Sequence, residues 1–241
     1  MWLNVEPVEL RHSNPEPDTL SERRRAWLER SHLYLVCEAR PGGREPEEVL
    51  RPALQAGVDI VQLRDKSAED RDVVEAGRIF RRLCDAYDAL FIVNDQPEVA
   101  IACAADGVHL GQDDLAPEEV RRLVGHDALI GLSTHSPEQV DDASEVDYIA
   151  VGPVHGTPTK PEYEPVGLSV VRYAAERATV PFFAIGGIDA DNVDDVLEAG
   201  ATRVAVVRAI RDAADPGEAA RALRARIDAR IHREAGIGSA Q

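Results

Sequence analysis

The sequence predicts one α/β domain, a single (β/α)8 TIM barrel with an N-terminal extension, on three observations. The chain has 241 residues, an ordinary length for one such barrel. From Leu33 onward, eight short apolar runs alternate with helix-like stretches. Seven of the eight runs end in polar or glycine clusters, where barrels of this class carry their chemistry. A doubly wound open sheet is the structural alternative. However, Cys37-Glu38-Ala39-Arg40 follows the first run instead of the G-x-G-x-x-G turn of that fold.

The eight apolar runs are rich in β-branched residues and have the length of buried parallel strands. They occupy residues 33–37, 59–63, 90–93, 107–110, 129–132, 148–151, 182–185 and 203–207. Helix-start signals follow several of them, at residues 45–48, 116–119, 136–138 and 189–192. Gly57, Gly125 and Gly200 stand where glycine caps end helices. This order predicts parallel strands joined by right-handed crossovers.

The chain is expected to have three parts. Residues 1–31 form an N-terminal extension, helical or partly disordered, in which a short charged helix opens at Leu20 or Ser21. Residues 32–235 form the catalytic barrel, and residues 236–241 form a C-terminal tail.

Composition excludes several classes of function. A formal net charge of −17 leaves no basic face for a nucleic acid. No apolar run approaches the roughly 20 residues that cross a bilayer, and the acidic, proline-containing N-terminus is unlike a signal peptide. Three cysteines without metal-ligand spacing predict buried thiols in a reducing cytoplasm. We therefore expect a cytoplasmic protein with small-molecule substrates, and the sequence leaves open whether it forms a homo-oligomer.

The basic residues are almost all arginines. Of 27, only Lys66 and Lys160 are lysines. A genomic preference for arginine explains this simply, yet both lysines lie in motifs that stand out for other reasons. A lysine places a compact charge on a flexible stem, which suits a phosphate oxygen.

Two carboxylates at neighbouring strand ends, Asp95 and Asp114, predict a Mg²⁺ site. One or two carboxylates completed by phosphate oxygens are the usual way in which proteins hold Mg²⁺. Asp113 is the weaker competing ligand. Alternatively, Asp95 or Asp114 could be a helix N-cap.

Other strand ends carry groups suited to anions. Gln62, Arg64 and Lys66 alternate, so they share one face if the strand continues; alternatively, both cations are solvated loop charges. The loop Thr157-Pro158-Thr159-Lys160 offers hydroxyl and backbone N–H groups, although it could be an ordinary turn. Gly186-Gly187, with the end of the eighth strand, occupies a habitual phosphate position, unless these glycines merely relieve crowding.

The histidines suggest no nucleophilic triad. His109 lies within an apolar strand and is expected to be structural, whereas His135 should lie near the start of the fifth barrel helix. Nothing in the chain resembles a redox or nucleotide-cofactor motif.

Taken together, these motifs resemble thiamine-phosphate synthases between about residues 33 and 221. The resemblance rests on several segments in the same order, namely residues 62–66, 93–95, 107–114, 131–135, 152–160 and 184–188. It implies condensation of 4-amino-2-methyl-5-(diphosphooxymethyl)pyrimidine with a carboxylated thiazole phosphate, releasing diphosphate and CO₂. The product is thiamine phosphate. The pyrimidine amine can delocalise positive charge onto the CH₂ carbon, so C–O cleavage can precede attack, and the protein must then stabilise the departing diphosphate.

The resemblance also implies site residues. One Mg²⁺ per active site would be held by Asp95 and Asp114. The pyrimidine diphosphate would be bound by Gln62, Leu63, Arg64, Asp65, Lys66, Asn94, Ser133 and Lys160, of which Arg64, Lys66 and Lys160 would be catalytic. The thiazole phosphate would be surrounded by Thr157, Pro158, Thr159, Gly187, Val207 and Arg208.

This chain departs from the family pattern at two places: His155-Gly156 stands where an aromatic and a different small residue are frequent, and Arg208 stands where serine is common. Two rival functions are a thiazole tautomerase of the same superfamily and a non-catalytic thiamine-phosphate sensor. Neither would need the full set of cations and carboxylates, and measuring turnover would exclude the sensor.

Overall fold

The computed structural model describes residues 19–143, 145–156 and 164–238, and its parallel strands close into a barrel in chain order. The strands are β1 (Leu33–Cys37), β2 (Ile60–Leu63), β3 (Leu90–Asn94), β4 (Gly107–Leu110), β5 (Leu129–Thr134), β6 (Tyr148–Val151), β7 (Phe182–Ile185) and β8 (Val204–Val206). Pairing of β1 with β8 completes the closure. The predicted (β/α)8 barrel is confirmed, and each predicted run overlaps the observed strand.

Helices follow or precede the strands around the outside of the barrel. They are α1 (Leu20–Glu29), α2 (Pro46–Gln55), α3 (Asp70–Ala86), α4 (Pro97–Ala102), α5 (Pro117–Val124), α6 (Pro137–Asp141), α7 (Gly167–Arg177), α8 (Val193–Glu198), α9 (Arg208–Arg211) and α10 (Pro216–Gly238). Many begin at a proline, whose missing N–H would have no partner in the first turn. None that lies within the described segments is both long and apolar enough to span a membrane.

The predicted glycine caps are confirmed. Gly57, Gly125 and Gly200 have φ values of 100°, 80° and 104°, and each directly follows or closely follows a helix end. Only glycine adopts these angles without strain, which is why these helices stop there.

Apolar side chains form two layers because residues alternate across each strand. The inner cluster fills the barrel and contains the rings of Tyr34, Tyr148 and Phe183, closed at its lower end by Leu28 of α1. The outer cluster joins the strands to the surrounding helices. Cys37, Cys84 and Cys103 are free and buried, as expected.

Helix α1 is attached to the amino-terminal end of the barrel by ion pairs. Thr19 caps it in a reciprocal capping box with Glu22. Arg24 Nε lies 2.9 Å from Asp106 and Arg25 Nε lies 2.7 Å from Asp147. The predicted charged helix of the N-terminal extension is thus observed, and it covers the bottom of the barrel.

Three aspartates repeat one arrangement at this lower end. Asp59, Asp106 and Asp147 each lie directly before an even-numbered strand. Each accepts a backbone N–H near the start of the preceding odd-numbered strand, from Leu33, Phe91 and Ile130 respectively. Each also pairs with an arginine of an outer helix, in the same order Arg224, Arg81 and Arg121. This end of the barrel therefore serves stability, which leaves the opposite end for chemistry.

Candidate active site

A cavity of about 420 Å³ lies at the carboxyl ends of the strands, within the size range of small-molecule sites. Seven predicted site residues line it: Gln62, Arg64, Asn94, Ser133, Gly187, Val207 and Arg208. The structure thus brings together residues from the ends of β2, β3, β5, β7 and β8.

Strand alternation decides which predicted residues reach the cavity. Gln62 and Arg64 lie two positions apart and face inward, whereas Leu63 and Asp65 have the opposite parity and do not line the cavity. Leu63 belongs to the outer apolar cluster. Strand β2 ends at Leu63, so the shared face predicted for Gln62, Arg64 and Lys66 does not extend to Lys66.

Asp65 organises the loop rather than the cavity. Its Oδ1 accepts hydrogen bonds from the backbone and hydroxyl of Ser67 and from the backbone of Ala68, and its Oδ2 accepts from Ala39 N. Partial burial by itself would raise the pKa of Asp65, but these hydrogen bonds to the carboxylate lower that pKa below its ordinary value. Asp65 therefore joins the loops after β1 and β2, and its predicted contact with substrate stays a prediction.

Lys66, Asp95 and Asp114 form a charged cluster beside the cavity. Lys66 Nζ lies 3.1 Å from Asp95 Oδ2. The carboxyl of Asp95 is also hydrogen-bonded to that of Asp114. Asp114 Oδ2 accepts a hydrogen bond of 2.6 Å from Gly111 N, which holds the loop after β4 in place. The two carboxylates predicted at neighbouring strand ends do meet.

A tight turn presents Asp95 to this cluster. Asp95 has φ of 60°, an uncommon value for a residue with a side chain, and Gln96 N donates to Asn94 O at 2.7 Å across it. This turn reverses the chain directly after β3, so Asn94 faces the cavity while the next residue faces Lys66. Strained backbone of this kind is often found at functional sites.

The protonation of Asp95 depends on its surroundings, including the neighbouring Asp114. Burial first, and then the hydrogen bond with Asp114, raises the pKa of Asp95, while Lys66 acts in the opposite direction. Asp113 is exposed and makes no described contact with this pair. Within the described residues, no group of three or more histidine, cysteine or acidic side chains could hold a metal.

The turn after β7 combines glycine geometry with close packing. Gly186 and Gly187 have φ of 105° and 64°, and a Cβ on Gly186 would lie 2.4 Å from the Cα of Pro153. Close packing therefore requires glycine here, in agreement with the interpretation that these glycines relieve crowding. The same turn also lines the cavity. Asn192 Nδ2 donates to Gly187 O at 2.8 Å and stabilises the turn.

Arg208 lines the cavity at the end of β8. Asp212, its suspected alternative partner, is instead bound by Arg211 through Nε at 2.6 Å and Nη2 at 2.9 Å, which lowers the pKa of Asp212. Among the described residues, the guanidinium of Arg208 makes no hydrogen bond or ion pair, although its charge contributes to lowering the pKa of Asp212. Its guanidinium is thus available to an anion in the cavity.

Several cavity residues were not predicted as site residues. Tyr34, Glu38 and Ala150 line the cavity, and so does His109, which the sequence predicts to be structural. His109 is buried in β4, as that prediction expects, and its Nε2 also lies 3.0 Å from Ser133 Oγ. The alternation of side chains along each strand could have indicated that these residues face the inside of the barrel. Their apolar neighbours, however, made them resemble core residues.

Residues 157–163 lie outside the described part of the chain, so the predicted positions Thr157, Pro158, Thr159 and Lys160 stay predictions. His135 is described and lines the cavity. It is attached to β6 through its Nδ1, which contacts Gly152 O, and its backbone N–H donates to Gln139 Oε1 at 2.6 Å.

Comparison with known proteins gives a consistent result. A family model described as thiamine monophosphate synthase matches residues 33–210. The chain is 49% identical over 209 residues to the thiamine-phosphate synthase of Acidothermus cellulolyticus, covering 85% of this chain and 99% of that protein. It is 51% identical over 200 residues to that of Thermus thermophilus, covering 81% and 96%.

Solved structures agree with these relatives. A thiamine phosphate pyrophosphorylase from Pyrococcus furiosus superposes with a TM-score of 0.77 at 34% identity, covering 86% of this chain and 98% of that one. A 3-hexulose-6-phosphate synthase superposes with a TM-score of 0.54 at 20% identity, which reflects the shared barrel fold alone.

Proposed function

Since the chain belongs to the thiamine monophosphate synthase family and is a transferase of thiamine biosynthesis, we propose that it forms the bond between pyrimidine and thiazole. The substrates are 4-amino-2-methyl-5-(diphosphooxymethyl)pyrimidine and a thiazole phosphate. The bond between CH₂ and the diphosphate oxygen breaks, and its electron pair leaves with diphosphate. The thiazole nitrogen then forms the new C–N bond. With a carboxylated thiazole, CO₂ leaves as well.

The observation that carries this proposal is that one cavity contains two groups of residues suited to binding anions. Arg64, after β2, and Arg208 with the Gly186–Gly187 turn, after β8 and β7, all line the cavity, and Lys66 pairs with Asp95 beside it. The amide of Gln62 and apolar side chains line the same cavity. Two phosphorylated substrates, one of which carries an aromatic amine, suit such a cavity.

The residues also fit a Mg²⁺ ion. Asp95 and Asp114 bring two carboxyl groups together, and the neighbouring Asp114 contributes, after burial, to raising the pKa of Asp95. Two protein carboxylates are few for a structural site, but they suit Mg²⁺, which commonly takes its other ligands from phosphate and water. We infer that Asp95 and Asp114 hold one Mg²⁺, whose charge offsets that of the diphosphate when bound.

The protein's own side chains stabilise the leaving group and orient the substrates. Arg64 lines the cavity and, with Lys66 beside it, offers positive charge to the departing diphosphate. Lys160 is proposed to add a third cation. The backbone of the Gly186–Gly187 turn and the guanidinium of Arg208 hold the thiazole phosphate, which does not react. No protein nucleophile takes part, so catalysis consists of positioning and charge stabilisation.

The test supplies both substrates with Mg²⁺ and measures thiamine phosphate and diphosphate by chromatography. We expect equal amounts of the two products, and none without the thiazole phosphate. A tautomerase would interconvert the thiazole forms without releasing diphosphate, and a sensor would bind thiamine phosphate without turnover. Either result would overturn the proposal.

A matched pair of variants tests the metal site separately. Asp114→Asn should weaken Mg²⁺ binding and so raise the Mg²⁺ concentration needed for half-maximal rate, whereas Asp113→Asn, the same change one residue earlier, should be milder because Asp113 makes no described contact with Asp95. Equal effects in both variants would remove Asp114 from the metal site.

A further inference from the structure

Three residues form a row across neighbouring strands inside the barrel. In the register of β4, β5 and β6, His109 pairs with Gly131, and Gly131 pairs with Tyr148. A Cβ on Gly131 would lie 2.6 Å from His109 Nδ1 and 2.2 Å from Tyr148 Cζ. The absence of a side chain at Gly131 therefore allows the imidazole and the phenol to meet above β5.

This contact belongs to a continuous line of hydrogen bonds through the inside of the barrel. Gln62 Nε2 donates to Tyr34 Oη at 2.6 Å, and Tyr34 Oη lies 3.0 Å from Tyr148 Oη. Tyr148 Oη lies 3.2 Å from His109 Nδ1, and His109 Nε2 lies 3.0 Å from Ser133 Oγ. We call these five side chains the relay. Its two ends, Gln62 and Ser133, are the residues proposed to contact the pyrimidine diphosphate.

Donor and acceptor counting makes the relay directional. Burial raises the pKa of both Tyr34 and Tyr148, so each phenol keeps its single proton. Because Gln62 donates to Tyr34, the proton of Tyr34 is left to donate to Tyr148. Tyr148 then donates to His109 Nδ1, which must be the bare nitrogen. His109 therefore carries its proton on Nε2 and donates to Ser133, and the hydroxyl proton of Ser133 faces the cavity.

The opposite direction requires every member to reverse. Ser133 would donate to His109 Nε2, His109 Nδ1 to Tyr148, Tyr148 to Tyr34, and Tyr34 to a flipped amide oxygen of Gln62. A partial reversal at a tyrosine would make its oxygen accept from both neighbours and leave its own buried proton unpaired, and a reversal at His109 alone would require an imidazolium or a ring without a proton. All five residues are buried, with the most exposed of them, Ser133, at 8%, so water cannot compensate such a mismatch cheaply.

We propose that Tyr34, Tyr148 and His109 are positioning residues that set the hydrogen-bonding polarity of Gln62 and Ser133. The inference rests on the proposed function for its substrate. In the direction that donor counting gives, the amide oxygen of Gln62 is free to accept from the amino group of the pyrimidine. The hydroxyl of Ser133 is free to donate to an oxygen of the diphosphate. Reversal would present the wrong polarity at both ends, so the relay selects an aminopyrimidine that carries an anionic leaving group.

The tautomer of His109 tests the direction without any need for activity. Imidazole ¹⁵N shifts in the folded protein should show a protonated Nε2 and a bare Nδ1, with the signal assigned by its loss in His109→Gln. A protonated Nδ1 with a bare Nε2, or an imidazolium with both protonated, would overturn the proposal. Because this measurement uses no substrate, it remains decisive even if the proposed reaction is not observed.

Removal of single hydroxyl groups tests the consequence for ligands. In Tyr148→Phe the ring remains packed edge-on to Phe183, but the link to His109 is lost. We expect mixed tautomers of His109 and a loss in kcat of about tenfold, the rate equivalent of one hydrogen bond, with an unchanged KM for the thiazole phosphate. In Tyr34→Phe the link from Gln62 to Tyr148 is lost, so His109 should again show mixed tautomers, while the KM for the pyrimidine diphosphate rises.

Tyr87→Phe is the matched control, because the hydroxyl of Tyr87 accepts a hydrogen bond of 3.0 Å from Gln55 Nε2 on the outside of the barrel. It should leave both the tautomer and the kinetics unchanged. Thermal unfolding of each variant confirms that it is folded. If folded Tyr148→Phe keeps the wild-type tautomer and kcat, the relay has no positioning role. If Nε2 is protonated but no condensation occurs, the proposed function fails while the relay stands.

Discussion

Asp147 should contribute strongly to stability and not to turnover, because it lies at the amino-terminal end of the barrel, away from the cavity. Its side chain is 8% exposed. Oδ1 accepts from Arg25 Nε at 2.7 Å, and Oδ2 accepts from Arg121 Nη2 at 2.7 Å and from Ile130 N at 2.8 Å. Asp147→Asn keeps the shape of the side chain but removes its charge and replaces one acceptor oxygen by an NH₂ donor. At least one of the three N–H groups that donate to Asp147 must then face the new NH₂ donor.

The expected loss follows from the exposure of each partner. Arg121 is 19% exposed, so removal of its counter-charge should cost about 3 kcal/mol, the low end of the range for a buried pair. Arg25 is 40% exposed, and its pair should contribute under about 1 kcal/mol. The remaining oxygen of asparagine still accepts one hydrogen bond and offsets about 1 kcal/mol. The net loss should be about 2–3 kcal/mol, or roughly 4–12 °C in Tm for a domain of this size.

The assay is thermal and urea unfolding of wild type, Asp147→Asn and Asp127→Asn. The last variant makes the same charge change at an exposed carboxylate near the same end of the barrel. Below the unfolding transition, kcat and both KM values of Asp147→Asn should equal those of wild type. The reasoning is refuted if Asp147→Asn unfolds together with Asp127→Asn, or if the folded variant loses turnover.

Four further predictions concern the cavity end. Chelation of Mg²⁺ should abolish condensation, and Asp95→Asn should raise the Mg²⁺ concentration needed for half-maximal rate; full activity in excess chelator would contradict this. Arg64→Ala and Lys160→Ala should each lower kcat and kcat/KM together by about 10²–10³, as removal of a charge-stabilising donor does; a wild-type kcat would exclude that residue. Arg208→Ser should raise the KM for thiazole phosphate with little change in kcat, because that phosphate does not react; an unchanged KM in a folded variant would indicate that backbone groups suffice. Because hydrogen bonds lower the pKa of Asp65 in the fold, its stabilisation should be full above the ordinary aspartate pKa of about 3.9 and fade as pH falls through the lower folded-state value; the difference in unfolding free energy between wild type and Asp65→Asn should therefore shrink only in acid.

Much of the barrel follows from local chemistry and could be predicted. Short β-branched runs, prolines at helix starts and glycines such as Gly57 and Gly200 after helix ends act within a few residues, so they are visible without tertiary information. The grouping of Gln62, Arg64 and Asn94 was also predictable, because residues at the carboxyl ends of parallel strands meet at one end of a barrel. The clustering of Asp95 with Asp114 follows from the same geometry.

The sequence by itself determined the class of fold, the strand ends at which polar groups gather, and the family. Only the tertiary structure decided which atoms of those groups meet. Asp65 stands among cavity residues in the chain, yet strand parity turns it to the backbone of neighbouring loops. His109 looked like a core residue, and only the register that aligns it with Gly131 and Tyr148 brings its ring into contact with both. Contacts across strands depend on register and closure, which no single segment encodes, whereas turns, caps and strand runs depend on neighbours along the chain.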